Sequence, residues 1–189
     1  MAKSKKARRL DELAAQIRVC TRCPLHESRT HAVPGDGSYD ARVMIIGEAP
    51  GREADESGHP FVGSAGRYLD HVLEGTGIDR AELFITNTVK CRPPKNRTPK
   101  SIEVGTCTSN YLFEQIELIN PKLVMLLGTV SAKAVLGAKS VGELRGKAFE
   151  RDGRKYIVGY HPAVRFYRED LGEKVKEDFA LLKRELRKL

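Results

Sequence analysis

The sequence predicts an α/β protein with three layers, αβα, around a central parallel sheet of four strands. Three observations lead there. Four short apolar runs, Val43–Gly47, Leu83–Val89, Leu123–Gly128 and Tyr156–Tyr160, each end in Gly or a polar turn. Continuous apolar runs of this length, bounded by turn residues, read as strands buried on both faces. Segments with helical periodicity lie between them, and alternation of strand and helix yields a parallel sheet covered on both sides. No internal repeat or low-complexity linker interrupts the pattern. One domain over residues 10–189 is expected, preceded by a basic, flexible N-terminus over residues 1–9.

In chain order, Leu10, Leu13, Ala14 and Ile17 mark one face of a helix over residues 7–19. Cys20-Thr21-Arg22-Cys23-Pro24 follows it. Residues 26–42 are rich in His, Pro, Gly, Ser and Asp and read as loop. The strand at 43–47 runs into the turn Glu48-Ala49-Pro50-Gly51, and residues 52–63 form a polar loop ending in Pro60-Phe61-Val62-Gly63. Ser64 can cap a helix reaching about Gly75, with Leu69, Val72 and Leu73 on one face. After the second strand, Thr98-Pro99 opens a helix expected to run from about Pro99 to Ile119. A short helix over Thr129–Leu136 follows the third strand, with another turn over Val141–Leu144. Phe149 to Arg154 reads as a connection turning at Asp152-Gly153, and the last strand ends in His161-Pro162. A loop with mixed apolar and basic residues, Ala163 to Asp170, precedes a C-terminal helix over about Gly172–Leu186.

Lys and Arg number 33 against 25 Asp and Glu, a formal charge of +8. That excess suits a polyanion such as nucleic acid, although a solubilising surface would produce it too. No apolar stretch approaches a membrane span, and no apolar segment follows the basic N-terminus as in a secretory signal. A soluble, cytoplasmic, monomeric protein is expected.

In open α/β sheets ligands bind beyond the carboxyl ends of the strands. Glu48, Asn87 and His161 all fall there, after strands one, two and four. Alone, each has an ordinary explanation: a solvated Glu, a turn-forming Asn, a surface His. Together they outline one site. An Asn amide reads an amide-like edge, a His donates to a developing anion, and Phe61, in a Gly-flanked loop, can stack on a base or a sugar. Arg165-Phe166-Tyr167-Arg168 interleaves basic and aromatic residues as a DNA-contacting loop does. The four cysteines, Cys20, Cys23, Cys91 and Cys107, suit four-thiolate binding of either zinc or an iron–sulfur cluster; spacing alone does not choose.

Taken together, these residues resemble the iron–sulfur uracil-DNA glycosylases, the type-4 family of bacteria and archaea. The likeness runs from about Leu10 to Leu182. Gly47-Glu48-Ala49-Pro50-Gly51 is similar to that family's first motif, and Pro60-Phe61-Val62-Gly63 with Ala65-Gly66 to its base-stacking loop. Asn87, Val89-Lys90-Cys91-Arg92-Pro93-Pro94 and Asn96-Arg97-Thr98-Pro99 resemble its longest signature, and His161-Pro162-Ala163 its second motif.

The resemblance implies a uracil-DNA glycosylase fold stapled by a 4Fe-4S cluster on Cys20, Cys23, Cys91 and Cys107. It implies a hydrolase that flips deoxyuridine out of single- or double-stranded DNA and cleaves its N-glycosidic bond, at the start of base-excision repair. Gly47, Glu48, Ala49, Phe61, Asn87 and His161 would bind uracil. His161 would donate to its O2 and Glu48 would hold the attacking water. Ser64, Arg97, Arg165 and Phe166 would contact DNA, within a basic surface that includes Lys90, Arg92 and Lys95. Two positions depart from the family: Val164-Arg165-Phe166 stands where a more aliphatic wedge is expected, and Ala54 where an acidic residue is common. Relatives that trap uracil covalently carry Gln in the first motif, where this chain has Ala49, so covalent capture is not expected. The competing readings are a glycosylase for another deaminated base, a non-catalytic iron–sulfur DNA-binding module, and a zinc-stapled nucleotide-binding protein. The last lacks a Gly-x-Gly-x-x-Gly turn.

Overall fold

The computed structural model describes residues 3–189. Met1 and Ala2, the start of the expected basic tail, lie outside the described residues. Ser4 caps α1 (Lys5–Arg18), its Oγ accepting from the Ala7 amide at 3.1 Å. Helix therefore begins inside the stretch read as a tail. A 3₁₀ turn over Pro24–Glu27 follows Cys23. The chain continues through β1 (Asp36–Gly37), β2 (Val43–Gly47), α2 (Arg52–Ser57), α3 (Ser64–Thr76) and β3 (Leu83–Asn87). Then come α4 (Ser101–Cys107), a π-helical turn over Thr108–Leu112, α5 (Phe113–Ile119) and β4 (Leu123–Leu127). The rest is α6 (Thr129–Leu136), α7 (Val141–Leu144), β5 (Ala148–Arg151), β6 (Arg154–Gly159), a 3₁₀ turn at Pro162–Phe166 and α8 (Asp170–Leu186).

The sheet has six strands in the order β1-β3-β2-β4-β6-β5. The four inner strands are the expected parallel set. The two edges are antiparallel additions, β1 on β3 and β5 on β6, which corrects the four-stranded expectation to a mixed six-stranded sheet. Both edges were hard to read for physical reasons. β1 is an Asp-Gly pair with no apolar alternation. β5 pairs through a two-residue turn, Asp152-Gly153, whose φ values of 52° and 74° are those of the mirror-image turn that suits strand twist. What read as a connection is a hairpin.

Strand side chains alternate between two cores, as the pleat requires. Val43, Ile45, Leu83, Ile85, Leu123 and Met125 pack on one face with Leu69 and Leu73 of α3 and Phe179 and Leu182 of α8. Met44, Ile46, Phe84, Val124 and Leu126 pack on the other with Leu10, Leu112, Ile116 and Ile119. A third cluster joins Leu13, Ile17, Leu25, Val89 and Tyr111 to Cys91 and Cys107. The helix expected from Pro99 to Ile119 runs from Ser101 to Ile119 with a π turn in its middle. Its π turn shifts the phase, so that Cys107 faces the third cluster while Leu112 and Ile116 face the sheet. Among the described residues, no helix is long and apolar enough to cross a membrane.

Candidate functional site

The parallel register sets Gly47 beside Asn87 at the carboxyl ends of β2 and β3. The chain leaving β3 then clamps the turn after β2. The Thr88 amide and Oγ1 donate to the Gly47 carbonyl at 2.9 and 2.8 Å, and the Val89 amide donates to the Glu48 carbonyl at 3.2 Å. Gly47 is required sterically. A Cβ there would stand 2.5 Å from Asn87 Oδ1 and 2.6 Å from Phe61 Cζ. Phe61 holds φ at 53°, in the left-handed region, and a side chain at Gly66 would collide with its carbonyl. Such a conformation costs of order 1 kcal/mol and persists only where packing over-determines it. Here it turns the Phe61 ring onto the end of the sheet.

His161 arrives from β6, two strands away from β2, with β4 between them. Gly128, which ends β4 at φ 90°, lets it lean across: a Cβ at 128 would already touch that of His161 at 3.4 Å. The Phe61 and His161 rings face each other with centroids 5.6 Å apart and planes 27° apart. The Ala163 amide donates to His161 Nδ1 at 3.2 Å. Nδ1 is therefore the acceptor and Nε2 carries the proton. The ring keeps a little solvent contact through the cleft mouth. Burial nevertheless pulls its pKa down to about 4, so it is neutral near pH 7. Behind it, Asp178 of α8 accepts from the Tyr160 amide at 2.9 Å and pairs with Arg145 at 2.7 Å.

These groups border one open cleft of about 820 Å³. Glu48, Ala49, Phe61, Ser64, Asn87, Arg97, His161 and Phe166 all line it, so most of the residues singled out from sequence come together. Glu48 is half-buried, and desolvation raises its pKa. Asn87 is buried, and among the described residues its Oδ1 has no hydrogen-bond partner. An orphan acceptor this deep costs about 1–3 kcal/mol unless a ligand satisfies it.

Three residues expected at the DNA-contacting surface make contacts of another kind. Lys90 is 1% exposed and belongs to no surface; its ammonium donates to Thr86 Oγ1, the Asn87 carbonyl and Gln115 Oε1. Arg97 reaches the cleft, but its guanidinium forms a bidentate pair with buried Glu103 at 2.7 and 2.9 Å. Arg165 does not line the cleft; its guanidinium lies 4.6 Å over the Tyr68 ring. At the rim, Phe166 and Tyr167 are 54% and 85% exposed.

The four cysteines gather in a second, small pocket under α1, shared with Ile17, His26, Arg29, Lys90, Thr106 and Tyr111. None of the four is joined in a disulfide. N–H groups aim at three of the sulfurs: Lys90 N to Cys107 Sγ at 3.3 Å, Arg29 Nη1 to Cys91 Sγ at 3.1 Å, and Arg22 N to Cys20 Sγ at 3.5 Å. Among the described residues, no three His, Cys, Asp or Glu side chains converge as ligands on one metal ion.

Sequence reasoning missed Gly128 and Gln115. A Gly closing an apolar run was a readable sign of close approach. Gln115 carried no sign, because its use depends on the π turn ahead of it.

Comparison with known proteins agrees with this geometry. The uracil DNA glycosylase superfamily model matches residues 34–187. A type-4 uracil-DNA glycosylase of Pyrobaculum aerophilum is 42% identical, over 91% of this chain and 92% of its own. That of Archaeoglobus fulgidus is 40% identical, over 90% and 89%. That of Saccharolobus solfataricus is 42% identical, over 94% and 86%. With a cleft at the family's motif positions and likeness over nearly its whole length, the chain belongs to the uracil DNA glycosylase superfamily and, within it, to the type-4 uracil-DNA glycosylases.

Proposed function

We propose that this protein excises uracil from DNA, hydrolysing the N-glycosidic bond of a flipped-out or single-stranded deoxyuridine to begin base-excision repair. One observation carries the reading: the buried Oδ1 of Asn87, unpartnered among the described residues, in the cleft that the Phe61 and His161 rings also line. Uracil supplies what that amide lacks. Its N3–H donates to Oδ1 and its O4 accepts from Nδ2. Cytosine presents the reverse pattern and leaves both groups unsatisfied, and a mismatch of this kind is rejected strongly. Phe61 stacks on the ring.

As the C1′–N1 bond breaks, its electron pair moves onto the base and charge gathers at O2. The neutral Nε2–H of His161 donates there, oriented by the Ala163 amide on Nδ1. The sugar becomes oxocarbenium-like. Water adds at C1′ from the Glu48 side and passes its proton to that carboxylate, whose raised pKa suits a base. The products are free uracil and an abasic site. Ser64, Phe166 and the exposed Tyr167 flank the cleft where the DNA strand would pass, with Arg97 at its floor.

Four thiolates are the donor set a 4Fe-4S cluster takes, one per iron, and the likeness to the type-4 family favours that cluster over zinc at the cysteine pocket. The N–H groups aimed at sulfur suit bound thiolates. Cys20 and Cys23 would hold the cluster from α1, and Cys91 and Cys107 from the sheet side. The cluster would act as a staple between them, leaving the chemistry to Glu48, Asn87 and His161.

The test is excision from labelled oligonucleotides containing uracil, hypoxanthine or thymine, single-stranded and duplex, with alkaline cleavage of abasic sites. Strand scission at uracil is expected. Its absence sinks the proposal, and scission only at hypoxanthine transfers the site to another base.

A further inference from the structure

Lys90 is among the largest side chains buried almost completely in the described residues, at 1% exposed. Its ammonium has three donors and meets three oxygens: Thr86 Oγ1 at 2.6 Å, Gln115 Oε1 at 2.6 Å and the Asn87 carbonyl at 2.9 Å. A full match of donors to acceptors fixes the group in place. The acceptors are themselves held, since Thr86 Oγ1 and Gln115 Nε2 both donate to the Pro34 carbonyl at 2.8 Å. The Lys90 main chain is tied at both ends. Its carbonyl accepts from the Val33 amide at 2.7 Å, and its amide donates to Cys107 Sγ at 3.3 Å.

Among the described residues, no carboxylate pairs with this ammonium, and all three of its acceptors are neutral oxygens. A buried cation without an anionic partner is costly, and a Leu or Met of similar length would fill the space more cheaply. The charge therefore needs a reason beyond packing. Position supplies one. Residues 87 to 91 run from the unpartnered amide in the cleft to a sulfur of the cysteine pocket, and Lys90 binds both ends of that run. Because the Asn87 carbonyl is held on the ammonium, the Asn87 side chain is directed into the cleft.

We propose that Lys90 is a positioning residue that couples the cysteine pocket to the base-reading edge, holding the Asn87 end of β3 while its own amide rests on Cys107. This rests on the reading of the cleft as a uracil site. With a cluster on Cys91 and Cys107, the strut is anchored at both ends. Without it, the Asn87 amide loses its fixed direction.

The test is a double-mutant cycle on protein purified with its visible cluster absorption. Lys90→Met keeps length and removes the three donors. Single-turnover excision of uracil is expected to slow at least tenfold, and the dissociation constant for free uracil, by calorimetry, to rise by a similar factor. Absorption and cooperative melting are retained. In an Asn87→Ala background, followed over long time courses, adding Lys90→Met costs less than twofold, because the group it acts through is gone. In a His161→Ala background the tenfold loss persists. If Lys90→Met fails to fold, Thr86→Val enters the same cycle; it removes one acceptor, and a threefold loss confined to backgrounds with Asn87 is expected. Equal penalties with and without Asn87, or no penalty in either, overturn the assignment while leaving uracil excision intact. Failure of the unsubstituted protein to release uracil overturns the functional reading instead, and the Lys90 role with it.

Discussion

The charge state of His161 is the most exposed part of the mechanism, and pH tests it directly. An ordinary imidazole titrates near 6.5, whereas burial pulls this one down to about 4. At pH 5 an unperturbed ring would be about 97% protonated, and His161 only about a tenth. Protonation at Nδ1 would also break the bond from the Ala163 amide. Excision by a Glu48→Gln variant, which removes the carboxylate limb of the profile, should therefore be flat between pH 5 and 8. An ordinary His would change the rate across that range. Stability carries the same signature. Because the folded pKa lies below the unfolded one, the unfolded chain binds more protons between about 4 and 6.5. Stability is then full above 6.5 and falls as pH drops toward 4, by at most about 3 kcal/mol, and by less because the ring keeps some solvent contact. Single-turnover rates, urea unfolding at several pH values and the ¹⁵N shifts of the His161 ring test this together. A ring titrating near 6.5, or a proton on Nδ1 at pH 7, would falsify the neutral-donor assignment.

Three further outcomes follow from distances already given. Gly47→Ala places a methyl against Asn87 Oδ1 and Phe61 and should abolish uracil binding, with at least a hundredfold loss of excision, while DNA affinity by anisotropy stays within about threefold; near-normal excision would mean the base sits elsewhere. Asn87→Ala removes two base contacts at about 1–3 kcal/mol each, a loss of tens to about ten-thousandfold in kcat/KM with little change in Tm; a loss below tenfold would remove Asn87 from the site. Arg97→Ala leaves the buried Glu103 carboxylate without its partner, so urea unfolding should register a loss of stability. If the only effect is a shallower salt dependence of DNA binding, Arg97 is a phosphate contact and not a strut.

Much of this was legible in the chain. The four parallel strands announce themselves because strands buried on both faces need uninterrupted apolar residues. The turn after β2, Asn87 and His161 could be placed on one edge because a parallel sheet puts all its strand ends there. The edge strands were not legible, since two residues or a half-exposed ribbon leave no apolar run. The π turn in the helix from Pro99 was not legible because it has no composition of its own. Lys90 was misplaced because charge reads as surface until buried partners are seen, and Gln115 and Thr86 become its partners only through packing; the Glu103 partner of Arg97 is likewise set by packing.

The sequence by itself determined the layered α/β plan, the family and the identities of the reacting groups, because these depend on local periodicity and on short motifs. Only the tertiary structure decided how the groups meet. It set Gly47 beside Asn87 by strand register and let His161 cross β4 over a glycine. It turned one expected surface cation, Lys90, into an internal fastening and paired another, Arg97, with a buried carboxylate. Those outcomes depend on which atoms are brought within a few ångströms of one another across the fold, and residues far apart along the chain carry no local signal of that contact.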